Sequence, residues 1–332
     1  MSMPRHVPQY STMIEVRTPC RLHFGLLALD PDQERQFGGT GLMIKAPDIA
    51  VALRPESTFC ATGPRCDQAV IFARRFAQSA LDAGITPPIA GAAIRVTRCP
   101  RAHAGLGTGT QLAMAVGQAM AACFCPDEIG ASRIAAMVGR GARSAIGAHG
   151  FASGGFIVEG GKRCADDLSP CLMRIAFPEA WHLVLIMPRA LEGISGKREF
   201  AAFDRIGPIA RSETAELCRQ VLLGLAPALH EADFQGFSET LYELQQRVGR
   251  CFASVQGGVY ADPQLEAIVN FIRQRGVRGV GQSSWGPTLY ALCQDPEGAD
   301  ALADVLRTHF TLDASEVTVT APDNQGRQVL QN

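Results

Sequence analysis

The sequence has no excess of either charge, because 31 lysines and arginines are balanced by 32 aspartates and glutamates, for a formal net charge of -1. A nucleic-acid-binding domain is usually strongly basic, so this balance argues against a nucleic-acid partner. Charged residues make up only 19% of the chain and hydrophobic residues 47%, a composition typical of a compact folded protein rather than a disordered one. Any anionic ligand must therefore be bound by local positive charge.

Long apolar runs are also missing. No stretch approaches the ~20 residues that span a bilayer, and the start, MSMPRHVPQYSTM, lacks the apolar segment of a secretory signal. We expect no membrane association, a cytoplasmic location and a disordered tail over residues 1–12. The 332 residues exceed the usual length of one domain, so two domains are expected.

The eleven cysteines contain no Cys-x-x-Cys pair. None lies near histidines at the spacing of a zinc finger, and their odd number, spread from Cys20 to Cys293, is typical of reduced thiols in a cytosolic protein. The sequence predicts neither a disulfide framework nor a structural zinc site.

Strand and helix patterns alternate through both halves of the chain, which predicts an α+β fold. Strands are predicted over residues 13–18, 92–98, 156–160, 182–187 and 315–320, a hairpin over 41–46 and 49–54, and a strand–loop–strand unit over 279–293. Helical spacing predicts helices over residues 66–83, 127–139, 211–224, 233–249, 263–275 and 297–309, and one directly after residue 110. Asp262 is predicted to cap the helix that begins at Pro263. Residues 139–155 show no periodicity.

Glycines are concentrated in the stretch GLGTGT, residues 105–110, which leads into a predicted helix. Such glycines adopt positive φ and let the backbone approach a ligand, while the first N–H groups of the helix attract an anion. Thr108 and Thr110 supply hydroxyls that can cap the helix or bond phosphate. No lysine follows, and the GxGxxG spacing is absent, so neither a Walker A loop nor a dinucleotide loop is indicated. The alternative is a tight strand–helix connection capped by threonines.

Several sequence blocks together resemble a known superfamily. The run GLGTGTQLAMA (105–115) after Pro100 resembles the phosphate loop of GHMP kinases. TPCRLHFGLLALD (18–30) and GVGQSSWGPT (279–288) stand where these proteins have a substrate motif and a late glycine-rich loop. The combination of RLHFGLL, FGGTGLMI (37–44), GLGTGTQLA, RSAIGAHGF (143–151) with GGFIVEGG (154–161), and GQSSWGP is similar to the narrower β-ribofuranosylaminobenzene 5′-phosphate synthase family.

The resemblance carries expectations for fold and activity. It implies a two-domain fold, with a ribosomal-protein-S5-like domain over residues 13–178 and a ferredoxin-like domain over 179–332, and a homodimer. It also implies that phosphoribosyl pyrophosphate is joined to 4-aminobenzoate or 4-hydroxybenzoate with loss of carbon dioxide and pyrophosphate, an early step of tetrahydromethanopterin biosynthesis. Mg²⁺ is the expected cofactor, held mainly by substrate phosphates and water.

The block RSAIGAHGF argues against a kinase. Kinases of the superfamily use a carboxylate here, and residues 143–151 contain no aspartate or glutamate. General-base help is worth roughly 10²–10⁴ in rate, whereas decarboxylative coupling removes no proton from the attacking carbon. Two alternatives stay open: an ATP-dependent small-molecule kinase, and a non-catalytic sugar-phosphate- or nucleotide-binding protein on the same fold.

The resemblance also implies roles for individual residues. Catalytic or phosphate-contacting roles fall to Arg21, His23, Arg143 and Ser144, since a guanidinium matches two phosphate oxygens at once. The phosphate loop comprises Gly105, Leu106, Gly107, Thr108, Gly109, Thr110 and Gln111. Substrate contacts are expected from Phe24, Gly38, Gly39, Gln282, Ser283, Ser284 and Trp285, with His103, Arg140 and Glu159 as weaker candidates. Basic residues should surround the phosphates, and weaker donors or apolar surface should face the carboxylate of the benzoate.

Overall fold

The computed structural model describes residues 13–30, 32–164, 167–191 and 205–331. The tail predicted over residues 1–12 lies outside the described residues. The strands are β1 (Ile14–Ala28), β2 (Phe37–Pro55), β3 (Cys60–Thr62), β4 (Ala92–Arg98), β5 (Phe156–Glu159), β6 (Cys171–Ile175), β7 (His182–Ile186), β8 (Val280–Gln282), β9 (Leu289–Cys293), β10 (Val317–Thr320) and β11 (Gln328–Gln331). The α+β prediction is confirmed.

The helices lie between and after these strands. They are α1 (Cys66–Asp82), α2 (Thr108–Phe124), α3 (Ala131–Met137), α4 (Ile146–Ser153), α5 (Arg211–Gln220), α6 (Ala226–His230), α7 (Phe234–Gln256), α8 (Pro263–Gln274) and α9 (Pro296–Phe310). A π-helical turn, Val221–Leu225, joins α5 to α6. In the described chain, no helix is both long enough and apolar enough to cross a bilayer.

The first sheet has the order β11-β1-β2-β4-β3. Residues 50–55 of β2 pair with β4, whereas residues 39–42 pair with β5. Strand β5 pairs in turn with β6. The predicted hairpin around Pro47 is wrong. Residues on both sides of it pair with β1, Thr18 with Ile49 and Cys20 with Ile44, so the chain runs straight on. The turn residues form a bulge, which adds residues to one strand without reversing it.

The second sheet has the order β10-β7-β9-β8, and α8 and α9 pack on it through Leu265, Ile268, Leu302 and Leu306. Asp262 caps α8 as predicted, because its Oδ1 accepts the N–H of Gln264 at 2.7 Å. Strand β11 pairs with β1, so the last described strand lies in the first sheet. The predicted boundary near residue 178 stays a prediction.

Helix α7 connects the two sheets at the level of the glycine-rich loop. The side chain of Gln245 donates to the carbonyl of Phe24 in β1 and accepts the N–H of Gln282 in β8 at 3.1 Å. Because Gln245 is buried, both bonds form away from competing water and fix the separation of β1 and β8. The residues between the sheets are therefore held in one geometry.

Candidate active site

The glycine-rich loop turns directly into α2. Gly105 and Gly107 have φ of 86° and 67°, as the sequence predicts. The first hydrogen bond of the turn runs from the N–H of Thr110 to the carbonyl of Gly107, at 3.0 Å. The N–H groups of Thr108 and Gly109 precede it and have no acceptor within the helix. Since no acidic residue lies in the first turn of α2, this helix start can bind an anion.

The late loop packs against the glycine-rich loop. The Oγ of Ser283 donates to the carbonyl of Gly105 at 2.8 Å and accepts the N–H of His23 at 3.0 Å. The N–H of Ser284 donates to the carbonyl of His23 at 3.1 Å. A Cβ on Gly286 would lie 2.2 Å from the nitrogen of Gly105, so only glycine permits this approach. Three distant sequence blocks are thus joined at one place.

Arg21 lies along the loop backbone. Its Nη1 donates to the carbonyl of Gly105 at 3.1 Å, and its N–H donates to the carbonyl of Leu106 at 3.1 Å. A Cβ on Gly107 would lie 2.7 Å from the Cγ of Arg21, so the arginine covers the glycine closely. The guanidinium is therefore held beside the start of α2, where an anion would bind.

His23 is buried, and both of its ring nitrogens have protein partners. Nδ1 accepts the N–H of Gly25 at 3.1 Å, so in the neutral ring the proton is on Nε2. Nε2 lies 3.1 Å from the Oγ of Ser144 and donates to it. Burial, and then the charge of Arg21, lower the pKa of His23 well below its ordinary value. The structure thus presents a neutral imidazole whose position is fixed.

Glu159 lies behind Ser144, at the end of β5. Its Oε2 accepts the N–H of Ala145 at 2.6 Å, next to the start of α4. Burial raises the pKa of Glu159, while the nearby hydroxyls of Ser144 and Ser169 and the Ala145 N–H act in the opposite direction. The carboxylate therefore holds the segment that carries Arg143 and Ser144, and it does not itself line the cleft.

The other wall of the cleft is apolar. Phe252 on α7 and Trp285 in the late loop pack edge to face, with ring centroids 5.1 Å apart. Leu26 and Val248 adjoin them, and all four residues line the cleft. Phe24 also reaches the lining, but it is 1% exposed and packs against Tyr290 and Phe156. The wall offers aromatic edges and aliphatic surface, which suit a flat arene.

These residues enclose a cleft of about 340 Å³. Its lining includes three arginines, Arg21, Arg140 and Arg143, and His103 lies at the loop. Within the described ranges, no aspartate or glutamate lines it. The cleft thus has basic and backbone N–H groups near the start of α2, and apolar groups near Trp285. Such a pairing suits a ligand that carries phosphate at one end and an aromatic ring at the other.

The structure brings most of the predicted site residues together. Those that line the cleft are Arg21, His23, Phe24, Gly105, Gly107, Thr108, Gly109, Thr110, Arg143, Ser144, Gln282, Ser284 and Trp285, together with His103. Their roles toward a ligand stay predictions. The alternative role of the threonines as helix caps is not observed, since Gly107 is the N-cap and no side chain bonds there.

Five predicted residues lie behind the lining. Leu106 and Ser283 are buried, and Gln111 bonds Thr18 and the carbonyl of Gly147 at 2.8 Å each. Gly39 lies beside the ring of His23, and Gly38 lies against the backbone of Glu159 and Gly161. A Cβ on Gly39 would lie 2.8 Å from the carbonyl of Gly25 and 3.4 Å from the Oε1 of Glu159. These residues support the cleft from below, and a contact with ligand stays a prediction for them.

Sequence reasoning missed several residues of the site. Arg65, before α1, donates to the Oγ1 of Thr108 at 3.0 Å and reaches the helix start from outside the cleft. Phe252 and Val248 come from α7, more than 130 residues along the chain from the glycine-rich loop. Residues 146–153 form α4 in a stretch without periodicity, since five of the eight residues of that short helix are buried: Ile146, Gly147, Ala148, Gly150 and Phe151. The sequence RSAIGAHGF, in which five of nine residues are glycine, alanine or serine, is a signal that could have indicated close packing.

The chain is similar along its length to two archaeal proteins. It is 30% identical to the beta-ribofuranosylphenol 5′-phosphate synthase of Archaeoglobus fulgidus, over 96% of this chain and 99% of that protein. It is 29% identical to the protein of the same name from Methanothermobacter thermautotrophicus, over 88% of this chain and 92% of that protein. Residues 225–312 match the family model described as GHMP kinases C terminal.

Solved structures show the same fold. A homoserine kinase from Cytophaga hutchinsonii aligns with a TM-score of 0.64 at 16% identity, over 98% of this chain and 100% of that one. A mevalonate diphosphate decarboxylase from Staphylococcus aureus aligns with a TM-score of 0.65 at 13% identity, over 96% and 98%. The described architecture is therefore the GHMP-kinase fold, as the sequence motifs predict.

Proposed function

Because the chain belongs to the beta-ribofuranosylphenol 5′-phosphate synthase family, we propose that it is a glycosyltransferase that joins phosphoribosyl pyrophosphate to 4-hydroxybenzoate or 4-aminobenzoate. The products are a β-ribofuranosyl-arene 5′-phosphate, carbon dioxide and pyrophosphate. The single observation that supports this most is the cleft itself, which combines a helix start and arginines with an aromatic wall and has no carboxylate among its described lining residues. The step belongs early in tetrahydromethanopterin biosynthesis.

The leaving diphosphate is placed at the start of α2. The bond between C1 of ribose and the diphosphate oxygen breaks, and negative charge gathers on the departing group. The N–H groups of Thr108 and Gly109, with Arg21 beside Gly107, are aimed at that charge. Fixed donors of this kind stabilise a developing anion without having to reorganise during the reaction.

The benzoate is placed against Trp285 and Phe252. The arene carbon that bears the carboxylate forms a bond to C1 of ribose, and the electron pair of the bond to the carboxylate then restores aromaticity as carbon dioxide leaves. Strong ion pairing of that carboxylate in the ground state would slow its loss. An apolar wall beside amides that are already bonded within the protein, such as Gln245 and Gln282, avoids such pairing.

No general base is needed at the attacking carbon, because no proton leaves it. The buried, neutral His23 fits this requirement, since its Nδ1 accepts a backbone N–H and its Nε2 donates to Ser144. A kinase, the second candidate, would need a carboxylate at the acceptor hydroxyl. The buried Glu159 bonds the N–H of Ala145 and is not among the residues that line the cleft, which gives no support to that candidate.

Mg²⁺ fits the site only when it binds together with the substrate. The described residues contain no cluster of three or more His, Cys, Asp or Glu side chains that could hold a metal ion. Among them, the protein therefore supplies no complete set of metal ligands. Magnesium usually keeps several waters and binds substrate phosphates. The hydroxyls of Thr108 and Thr110, which line the cleft, are the groups that would hold such an ion. Bound there, Mg²⁺ would neutralise the charge of the diphosphate.

The relatives' names contain a phenol, and a phenol product would arise from 4-hydroxybenzoate, whereas an aniline product would arise from 4-aminobenzoate. We keep both as proposed acceptors. A homodimer in the cytoplasm is part of the same proposal and follows from the family resemblance.

The direct test supplies purified protein and Mg²⁺ with phosphoribosyl pyrophosphate and either carboxyl-labelled acceptor, and counts released carbon dioxide. Release that requires phosphoribosyl pyrophosphate supports the proposal. A folded protein that releases none with either acceptor, and that instead consumes ATP to phosphorylate a small molecule, would show that the proposal is wrong.

A further inference from the structure

We propose that Arg65 and Arg140 form a second anion subsite that binds the sugar's 5′-phosphate, separate from the place where the diphosphate leaves. The proposal rests on the proposed function, because a substrate with a diphosphate at C1 and a phosphate monoester at C5 needs two anion sites within reach of one sugar ring. The two arginines have no role in the proposed reaction steps, and the subsite gives them a ligand.

The two guanidinium groups converge on one point beside α2. A Cβ built on Gly109 would lie 3.5 Å from the Nη2 of Arg65 and 3.9 Å from the Nη2 of Arg140. Arg65 comes from the residue before α1, and Arg140 from the residues after α3, so two unconnected segments supply the pair. Charge-assisted N–H···O bonds of about 2.8 Å would let one phosphate group contact both side chains.

Both side chains are positioned by other residues. The Nε of Arg65 donates to the Oε1 of Gln68 and its Nη1 to the Oγ1 of Thr108, each at 3.0 Å. The guanidinium of Arg140 lies over the ring of Phe72, 4.8 Å from its centroid. An arginine fixed in this way loses less conformational freedom when it binds a ligand.

No carboxylate neutralises the pair among the residues that the structure describes, since none of the observed salt bridges involves Arg65 or Arg140. The Nε of Arg140 is buried and has no hydrogen-bond partner. Burial, and then the charges of Arg75 and Arg65, lower the pKa of Arg140. The two guanidinium groups repel each other when no anion is bound. A phosphate dianion between them would attract both.

The position of the pair distinguishes the two phosphates. The reacting C1 must face the aromatic wall, and Trp285 is tied to His23 and Gly105 through the late loop. Arg21, which covers Gly107, is therefore on the side of the reacting carbon. Gly109 lies further along the helix start, with Arg65 and Arg140 beyond it. The monoester at the far end of the sugar fits that position.

The test measures binding of two probes to the full-length protein by calorimetry: ribose 5-phosphate, which has only the monoester, and inorganic pyrophosphate with Mg²⁺. Arg65→Gln and Arg140→Gln should each weaken ribose 5-phosphate by about tenfold and change pyrophosphate binding by less than about twofold. Arg74→Gln, an exposed arginine on the same helix α1, is the matched control and should change neither.

Other outcomes overturn the subsite. Equal weakening of both probes would indicate a general positive field, and greater weakening of pyrophosphate would assign the pair to the diphosphate. Unchanged binding of both probes, or a wild-type protein that binds pyrophosphate but not ribose 5-phosphate, would also contradict it. If Arg140→Gln fails to fold, Arg65→Gln carries the test. Wild-type release of carbon dioxide, measured first, separates a failure of this subsite from a failure of the proposed function.

Discussion

The Nε2 atom of His23 lies 3.1 Å from the Oγ atom of Ser144, and the Nδ1 atom of the same ring accepts the N–H of Gly25. The Oγ of Ser144 also accepts the N–H of Ile146 at 3.3 Å. Strand β1 is thus bonded to the start of α4 through one buried imidazole. A charged ring would need a second acceptor at Nδ1, where the backbone of Gly25 presents a donor.

This arrangement predicts a pH dependence of stability. The pKa of His23 in the folded protein lies below 6.5, so at acidic pH the unfolded chain binds more protons. The free energy of unfolding should therefore fall as the pH drops below about 6.5, by at most about 1.4 kcal/mol per pH unit from this group. His23→Gln, which keeps a donor to Ser144, should show a shallower fall between pH 7 and 5.5 in urea titrations.

The control is His230→Gln, which changes an exposed histidine and should keep the wild-type slope. Glu159, whose pKa is raised by burial, adds a contribution of opposite sign, and it is common to all three proteins. Equal slopes for wild type and His23→Gln would contradict the buried, neutral ring.

Glu159 is predicted to position Ser144 rather than to touch substrate. Replacement by Leu leaves the N–H of Ala145 without its acceptor and should cost about 1–3 kcal/mol of stability, while Gln keeps an acceptor and should cost less. Ser144→Ala and Glu159→Gln should be non-additive in a double-mutant cycle, by at least about 0.5 kcal/mol. Glu128→Gln, at an exposed position, is the control. Additive effects would show that the two groups act independently.

Gly107→Ala should reduce activity more than stability. Its Cβ would meet the Cγ of Arg21 at 2.7 Å, so the arginine and the loop must separate. Gly84→Ala is a matched control, because Gly84 has a similar φ of 64° and its Cβ would meet nothing within 4 Å. Both changes should cost about 1 kcal/mol for the positive φ, but only Gly107→Ala should weaken pyrophosphate binding. Equal pyrophosphate affinities in the two variants would contradict the placement.

Trp285→Leu should raise the KM for the benzoate by about tenfold through loss of aromatic contact, with little change in ribose 5-phosphate binding. Trp181→Leu is the comparison, since Trp181 is equally buried but packs against Phe177 and Phe237 in the core. It should lower the unfolding temperature and leave the KM unchanged. If Trp285→Leu leaves the KM of both acceptors unchanged, the arene binds elsewhere.

Removal of Mg²⁺ with a chelator should abolish carbon dioxide release without changing the unfolding temperature. The described residues offer no metal cluster, so the ion would be bound with the substrate rather than with the folded chain. A chelator that lowers the unfolding temperature would instead indicate a protein-held metal.

The sequence predicted the loop, the helix start and most of the residues around them, because glycine geometry and helix dipoles are local properties. Asp262 and Gly107 show this most clearly. Pairing between distant segments could not be derived. Residues 41–54 alternate and carry a proline, which favours a hairpin locally, but β1 is long enough to pair with both halves. The position of Arg65 depends on the packing of α1 against α2, which no local pattern reveals.

In the proposed reaction, departure of a diphosphate and loss of a carboxylate are two parts of one coupling step. The most direct measurement follows pyrophosphate and labelled carbon dioxide together in the same reaction of the wild-type protein with phosphoribosyl pyrophosphate and acceptor. We expect the two products to appear at equal rates and in a ratio of one to one. Pyrophosphate released without carbon dioxide, or carbon dioxide released without phosphoribosyl pyrophosphate, would contradict it.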